Sequence, residues 1–403
     1  MAWGHATSTD LARWDEHAPA LLEDESHMVF SGSAVIDRAN TGGFGRDAMI
    51  AIHTASMRGE QPRQTQWLAI SRDYGASWKR FAGNPVLDLG LADFRDPCVF
   101  WHEDTRRWVM VVALSVENAA GIFISTDLRN WHETGRIEGE SAPGNLWECP
   151  ALIELPVAGT NRTHWLFKVD ALNDAPASGA LYQTGTFDGE CFIPDVSEWQ
   201  ILDQGMDFYA AIPWNGPNDA KGRPCWIGWM GNHRYQHDFP TRGWRGVMSL
   251  PRRLELVLHE SGLRLAQSIE PTVTQLFDAA RPVAAGQSTV PIACRIDLAS
   301  GFSGMLQIED GPSTAISVER QDGEILIRRV DEELPFLSFE REIALPRRQG
   351  LSLYVDSETC EILSSDGTVA VSLQHRPQHA RLALHTDDPA KVSVAPLGKR
   401  TAT

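Results

Sequence analysis

The segment Asp127-Leu128-Arg129-Asn130-Trp131 has counterparts elsewhere in the chain. Asp10-Leu11-Ala12-Arg13-Trp14 is nearly the same, Asp73 is followed by Trp78, and Thr186-Phe187-Asp188-Gly189 is a looser copy. The aspartates stand 63, 54 and 61 residues apart, which is the length of one four-stranded blade with generous loops. The repeat therefore predicts a β-propeller, although isolated Asp…Trp hairpin turns in a β-sandwich would give a similar pattern.

Between these turns the chain consists of short runs of β-forming residues, such as Trp165-Leu166-Phe167-Lys168-Val169. Beyond about residue 270, plain alternation takes over, as in Leu351-Ser352-Leu353-Tyr354-Val355, which is typical of a β-sandwich. We predict an all-β fold with a propeller domain over residues 1–258, a linker over 259–272 and a sandwich domain over 273–403.

Composition excludes several classes of function. The 403 residues carry a net charge of −17 without a basic run, so nucleic acid and membrane surfaces are not expected partners. The longest apolar stretch, 108–116, is far shorter than the roughly 20 residues of a transmembrane helix. No histidine or cysteine spacing indicates a metal site, because His233 and His237 lie in a predicted loop, and no cofactor is expected.

Two acidic residues stand where inner strands of the propeller are predicted to begin. Arg95-Asp96-Pro97 precedes one apolar strand, and Trp147-Glu148-Cys149-Pro150 precedes another. Asp96 and Glu148 are 52 residues apart, one blade step, so we predict equivalent positions on adjacent blades, facing each other across the central funnel. The alternative is that both carboxylates merely cap strand ends.

Paired carboxylates with different pKa values are what glycoside hydrolysis requires. Glu148 lies between Trp147 and an apolar strand, so we expect it to be desolvated, to stay protonated and to act as a general acid. Asp96 lies beside Arg95, so we expect it to stay ionised and to accept hydrogen bonds from sugar hydroxyls.

Further blade steps continue this pattern. One step back reaches Phe30-Ser31-Gly32-Ser33, and one step forward reaches Asp207-Phe208-Tyr209-Ala210. A fifth inner strand would fall about 30 residues before Met1, so the first blade is predicted to be incomplete. Its open edge could pair with another copy of the chain, giving a homo-oligomer.

These motifs resemble glycoside hydrolase family 32, the invertase, levanase and exo-inulinase group. The segments that carry the resemblance are Phe30-Ser31-Gly32-Ser33, Phe94-Arg95-Asp96-Pro97, Trp147-Glu148-Cys149-Pro150, Asp207-Phe208-Tyr209-Ala210 and Ile227-Gly228-Trp229-Met230.

The resemblance implies a five-bladed propeller followed by a β-sandwich. It also implies a retaining hydrolase that releases terminal β-D-fructofuranosyl residues from sucrose, levan or inulin. Carried over by position, Glu148 would be the acid/base catalyst, and Asp96 would bind the fructosyl hydroxyls and stabilise the transition state. The expected substrate-binding residues are Arg95, Phe30, Ser31, Trp229, Tyr209 and Trp147; Phe30 and Trp229 could instead be core aromatics.

The chain departs from this family in one respect. The nucleophile of the family is an Asp in a Trp-Met-Asn-Asp-Pro-Asn-Gly-type motif, which does not occur here. Hydrolysis by this chain is therefore expected to be impaired. Either Met1 is an internal residue of a longer hydrolase, which we favour, or the chain is a shortened paralogue that binds fructan without hydrolysing it.

Localisation follows the same alternatives. The chain starts without a signal peptide and would be cytoplasmic as it stands, whereas an upstream segment could direct secretion. Arabinan-type hydrolysis on a five-bladed scaffold is a third, weaker interpretation, because the Trp-Glu-Cys-Pro and Phe-Ser-Gly-Ser motifs do not resemble that group.

Overall fold

A computed structural model describes residues 1–139, 142–172, 175–216, 218–240, 245–284, 286, 288–311 and 314–398. Nearly all regular elements in these ranges are strands. The helical elements are one short α-helix, α1 (Pro271–Thr274), and three 3-10 turns at Ser115–Glu117, Pro335–Leu337 and Pro389–Lys391. The predicted all-β class is confirmed. Within these ranges no helix has the length and apolar character needed to cross a membrane.

Small antiparallel sheets follow one another along the first part of the chain. The first pairs β1 (Trp3–Thr7) with β2 (Asp15–Leu21). The second contains β3 (His27–Asp37), β4 (Ala48–Met57), β5 (Arg63–Ser71) and β6 (Lys79–Arg80). The third contains β7 (Phe94–His102), β8 (Arg107–Leu114), β9 (Ala119–Ser125) and β10 (His132–Glu138).

Two further sheets complete this series. The fourth contains β11 (Asn145–Pro156), β12 (Thr163–Leu172), β13 (Ala180–Phe187), β14 (Phe192–Pro194) and β15 (Gln200–Ile201). The fifth contains β16 (Tyr209–Pro213), β17 (Cys225–Trp229), β18 (Arg252–His259) and β19 (Gly262–Ile269). From the second sheet onward each has the size of a propeller blade and its strands pair in chain order, except that β15 pairs with β13.

The aspartate repeat forms the same local turn in all four places. Each carboxylate accepts hydrogen bonds from backbone N–H groups two to four residues further on; for Asp127 Oδ1 these are Arg129 N at 2.9 Å and Asn130 N at 2.8 Å. The residue after each aspartate has a positive φ angle: Leu11 at 60°, Tyr74 at 58°, Leu128 at 63° and Gly189 at 101°. The turn is therefore determined by local side-chain to backbone bonding.

Strand β8 shows how one blade is buried on both faces. Successive side chains of a strand point to opposite sides of the sheet. Met110 and Val112 belong to a core cluster with residues of β4, whereas Val109 and Val111 belong to a different cluster with residues of β12. The strand is thus apolar from Trp108 to Leu114, because each face packs against a neighbouring sheet.

The last part of the chain forms two six-stranded sheets. In spatial order, one contains β20 (Arg281–Pro282), β31 (Val392–Pro396), β22 (Cys294–Leu298), β27 (Leu351–Val355), β28 (Thr359–Ser364) and β29 (Ala370–Gln374). The other contains β21 (Ser288–Pro291), β30 (Arg381–Thr386), β23 (Gly304–Glu309), β24 (Thr314–Gln321), β25 (Glu324–Asp331) and β26 (Phe339–Ala344). Buried residues of both sheets, among them Ile296, Leu353, Leu306 and Ile327, form one core, as in a β-sandwich.

The chain divides into two compact units. The first comprises Met1–Ile201, Ala210–Trp226 and Leu258–Leu263, and the second comprises Leu202–Tyr209, Ile227–Val257 and Arg264–Thr403. The segment 259–272, predicted as a linker, contains strand β19, whose apolar residues Leu265 and Ile269 are buried. The hairpin with β18 satisfies its backbone, so the segment is regular structure. The domain ranges 1–258 and 273–403 remain a prediction.

Candidate active site

A cavity of about 260 Å³ lies in the first unit, at the beginnings of three of its strands. Asp96 and Pro97 of β7, Cys149 of β11 and Ala210 of β16 line it. The remaining lining residues are Trp3, Ser31, Gly32 and Ile212. Of the predicted site residues, the structure thus places Asp96 and Ser31 in one wall. Trp3 was not singled out, although it stands in a Trp-Gly-His segment near the start of the chain.

Backbone irregularities decide which residues reach this cavity. A bulge interrupts β7 between Arg95 and Cys98, and another interrupts β11 between Glu148 and Ala151. Asp96 and Cys149 have φ angles of 65° and 47° within these bulges. Asp96 is therefore the counterpart of Cys149, and Arg95 is the counterpart of Glu148. The predicted equivalence of Asp96 and Glu148 was wrong by one residue, which the interval of 52 residues could not resolve.

The carboxyl group of Asp96 is buried and held in place from two sides. Its Oδ2 accepts a hydrogen bond from Cys149 N at 2.9 Å, and its backbone N–H donates to Thr54 Oγ1 at 3.0 Å. Thr54 donates in turn to Gln66 Oε1 at 2.9 Å. Burial, together with the nearby charge of Glu148, raises the pKa of Asp96 to about 6. Arg95 lowers the pKa of Asp96 by less than burial raises it, so Asp96 is mostly ionised only above a pH of about 6.

Arg95 forms ion pairs with the carboxylates of Glu148 and Asp93. Its Nε lies 3.1 Å from Glu148 Oε1, and its Nη1 lies 2.8 Å from Asp93 Oδ1 and 3.2 Å from Gln64 Oε1. The side chain of Glu148 is 19% exposed. Glu148 therefore has a cationic partner and some solvent contact, which corrects the prediction of an apolar site for this residue. Arg95 links the two neighbouring strand starts and orients the carboxylate of Glu148.

A buried charge pair lies behind Cys149. Lys168 Nζ lies 3.2 Å from Cys149 O and 2.5 Å from Asp170 Oδ2, and both side chains are fully buried. Asp170 Oδ2 also accepts a hydrogen bond from Ala210 N at 2.8 Å. Burial raises the pKa of Asp170 to about 6, against the opposing charge of Lys168. Two charged residues within the otherwise apolar stretch 165–172 were the signal available for this pair in the sequence.

Trp147 was predicted to bind substrate, and the structure corrects this. Its side chain is fully buried and packs against Phe167 and Trp199, with ring centroids 6.0 and 5.3 Å apart. Glu148, the next residue in β11, is not part of the cavity lining but pairs with Arg95, and the alternation of a strand turns Trp147 toward the core. Phe30 is half-buried, and its carbonyl accepts a hydrogen bond from Trp3 Nε1 at 2.8 Å.

Tyr209 and Trp229 belong to the second unit, where they form an aromatic cluster. Their ring centroids are 6.3 Å apart at an interplanar angle of 88°. His233 completes the cluster at 4.9 Å from Tyr209 and 5.1 Å from Trp229. Tyr209 is buried and Trp229 is half-buried, so Trp229 keeps a partly accessible ring. Their role as substrate-binding residues remains a prediction.

The arrangement suits acid/base chemistry on a polyhydroxyl ligand. One carboxyl group, Asp96, has a raised pKa and lines the cavity, and a second, Glu148, is oriented by Arg95 one residue before Cys149. Glycoside hydrolysis uses a pair of carboxyl groups that flank the scissile bond. Among the described residues, no group of three or more His, Cys, Asp or Glu side chains is placed to hold a metal ion.

Comparison with known proteins identifies relatives over most of the chain. Residues 1–268 match the model of the glycosyl hydrolases family 32 N-terminal domain. Levanase of Bacillus subtilis is 34% identical over 92% of this chain and 60% of its own length. An extracellular exo-inulinase of Meyerozyma guilliermondii is 38% identical over 64% of this chain and 51% of its own. The chain thus spans only about half to three fifths of these two relatives.

A solved structure extends the similarity to the fold of the whole chain. Fructofuranosidase from Schwanniomyces occidentalis, complexed with fructose, has a TM-score of 0.85 and 27% identity and covers 99% of this chain and 89% of its own. The match to the family model and the identity to levanase over nearly the whole chain agree with the motifs around Asp96 and Glu148. This chain belongs to glycoside hydrolase family 32.

Proposed function

We propose that the chain is a β-fructofuranosidase-type hydrolase that releases terminal fructosyl residues from sucrose, levan or inulin. The observation that carries the proposal is the small cavity with Asp96 in its wall and the Arg95–Glu148 pair directly beside it in sequence and structure. The names of the relatives, levanase and exo-inulinase, support this substrate class.

In the proposed reaction, Glu148 protonates the oxygen that leaves with the rest of the saccharide and later removes a proton from water. Asp96 accepts hydrogen bonds from hydroxyls of the fructosyl ring. Above a pH of about 6 its negative charge also stabilises the positive charge that develops on the ring in the transition state. Arg95 positions Glu148 through the 3.1 Å contact.

A retaining glycosidase also needs a carboxylate nucleophile. The Trp-Met-Asn-Asp-Pro-Asn-Gly-type motif that carries it in the family does not occur in these 403 residues. We therefore expect slow fructose release, reduced by orders of magnitude. On this proposal the scaffold is a five-bladed propeller, with β1 and β2 as the outer strands of an incomplete first blade.

The alternative function is fructan binding without hydrolysis. It is favoured by the same missing motif, because Ser31 and Asp96 are still in place to accept a sugar. Saturable binding of an inulin-type oligosaccharide together with no detectable fructose release would select this alternative.

The test is fructose release from sucrose, levan and inulin by the chain, by Glu148→Gln and by the control Glu138→Gln, which changes an exposed carboxylate on β10. We expect slow release by the chain, the same rate in Glu138→Gln and none in Glu148→Gln, since the amide cannot donate or accept the proton. Equal rates in the parent and Glu148→Gln would refute the assignment of Glu148.

A further inference from the structure

A second and larger cavity, of about 650 Å³, lies in the first unit. Its lining comes from the later parts of strands whose earlier parts line the small cavity: 35–37 of β3, Phe100 and Trp101 of β7, 152–154 of β11, and Pro213 at the end of β16 with 214–216 after it. From Asp96 to Trp101 the chain advances about 16 Å along β7. The two cavities share no lining residue.

Hydrogen bonds join β3 to β7, and the two strands run in the same direction, because the earlier residues of both line the small cavity and the later residues of both line the larger one. Ser33 Oγ donates to Pro97 O and accepts from Val99 N, both at 2.9 Å. Further along, the side-chain amide of Asn215 donates to Ala34 O at 3.0 Å and to Val99 O at 2.8 Å. Asn215 thereby ties both strands together in the wall of the larger cavity, which therefore lies at the opposite ends of these strands from the small one.

Several indole rings line the larger cavity without being fully buried. Trp101, Trp165 and Trp214 are each half-buried. Neighbouring rings hold them in place: Trp101 packs edge-on against Trp108 at 5.1 Å, and Trp165 lies 5.5 Å from Phe100. Rigid, partly exposed aromatic faces are suited to the apolar C–H faces of sugar rings, because stacking there removes apolar surface from water at little cost in side-chain entropy.

Acidic and basic side chains lie between these rings. Glu103 and Glu154 are exposed, and so are Arg38 and Arg106. Glu103 Oε2 accepts the indole N–H of Trp101 at 2.7 Å and keeps another oxygen for a ligand. The exposed charges balance, because the third acidic residue of the lining, Asp37, is buried and already accepts hydrogen bonds from Thr41 N and Gly42 N. The cavity therefore does not favour a charged ligand. The exposed acidic side chains can accept hydrogen bonds from the hydroxyls of a neutral ligand, and the basic side chains can donate hydrogen bonds to them.

We propose that this cavity is a second binding site, distinct from the candidate active site, for an uncharged oligosaccharide. Its volume is within the range of small-molecule sites, and its lining combines aromatic faces with convergent polar groups. The proposal does not depend on hydrolysis by the chain, since it concerns residues that the proposed reaction does not use.

The test is calorimetric titration with an inulin-type tetrasaccharide and with maltotetraose, using Glu148→Gln as the parent so that no turnover occurs. Trp214→Ala and Trp101→Ala are expected to weaken binding of at least one of these ligands by about tenfold or more. Tyr74→Ala removes an aromatic side chain that is 88% exposed and outside the cavity, so it should leave the affinity unchanged.

Further variants and one acidic ligand show which cavity is responsible for the binding. If the tryptophan variants unfold, Glu154→Gln and Glu103→Gln replace them, with a severalfold loss of affinity expected. Asp96→Asn tests the small cavity and should leave this binding event in place. The proposal is overturned if neither neutral ligand binds, if only Asp96→Asn reduces binding, or if an acidic galacturonan tetrasaccharide binds more tightly than both neutral ones. Failure of fructose release affects none of these arms.

Discussion

Asp96 and Glu148 differ in what surrounds their carboxyl groups. The carboxyl group of Asp96 is enclosed and accepts a hydrogen bond from Cys149 N, whereas that of Glu148 keeps some solvent contact and has Arg95 beside it. For Asp96 burial outweighs the favourable contact, so its pKa rises to about 6. A group whose folded pKa exceeds its unfolded value binds its proton more tightly in the folded state. The unfolding free energy therefore falls as pH rises from about 4 to about 6.

Asp96→Asn should reverse part of this pH dependence. The amide keeps the acceptor for Cys149 N but does not ionise, so the variant should gain stability relative to the parent as pH rises through this window. The gain should be on the order of 2–3 kcal/mol in unfolding free energy. Urea unfolding at pH 4, 5, 6 and 7 measures it. A difference between parent and variant that does not change with pH would show that Asp96 titrates normally.

Substitutions at Trp147 and at Ser31 should have opposite effects on stability and on ligand binding. Trp147→Phe leaves a void in a closely packed core, so it should lower the unfolding free energy by about 1–3 kcal/mol. The affinity for an inulin-type tetrasaccharide should stay within about twofold. Ser31→Ala changes an exposed residue of the small cavity. It should leave the unfolding free energy nearly unchanged and lower the affinity for the tetrasaccharide. Thermal unfolding and calorimetric titration of both variants check this; a stable Trp147→Phe variant that no longer binds would restore Trp147 to the site.

At the scale of the element, the aspartate turns define where strands of successive sheets end. In each turn a carboxylate bonds to nearby backbone N–H groups and the following residue takes a left-handed conformation. Leu128 takes this conformation although it is fully buried, since its side chain packs in the core. The turn thus fixes the direction of the chain and also places the apolar side chain of Leu128 in the core.

Removing the carboxylate of one turn should destabilise its sheet. Asp127→Ala leaves the N–H groups of Arg129 and Asn130 without their acceptor, at a cost of about 1–2 kcal/mol. Asp127→Asn, which keeps one acceptor oxygen, is the matched control and should lose less. Chemical denaturation of the three proteins measures the difference, and equal stability of Asp127→Ala and the parent would show that the turn is held by packing alone.

At the scale of the molecule, the first sheet has only two strands. Strand β1 pairs with β2 and has no second partner among the described residues. An unpaired strand edge can template pairing with another chain. We therefore expect this edge to promote self-association, against the general repulsion of a chain that carries a net charge of −17.

Sedimentation velocity over a range of concentrations tests this expectation. The parent should associate as concentration rises, more strongly at high salt, where charge repulsion is screened. Ala6→Lys places a charge on an exposed position of β1 and should reduce association, whereas Glu138→Gln on β10 should not. A monomer at all concentrations and salt levels would contradict the prediction.

Much of the architecture could be predicted because it depends on neighbours in sequence. The aspartate turns bond within four residues, and the alternation of β-forming residues is visible without tertiary contacts. The all-β class, the repeat and the family motifs around Asp96 and Glu148 were therefore accessible. The linker bounds, 259–272, remain a prediction, and strand β19 lies within them.

The sequence by itself determined that this is an all-β chain with a blade-length repeat and the motifs of its family. Only the tertiary structure decided that Asp96 lines the cavity beside Cys149, that Arg95 pairs with Glu148, and that Trp147 lies in the core. The physical reason is that strand side chains alternate between faces, so a single bulged residue changes which side chain reaches the site. Burial, which raises the pKa of Asp96, comes from residues distant in sequence.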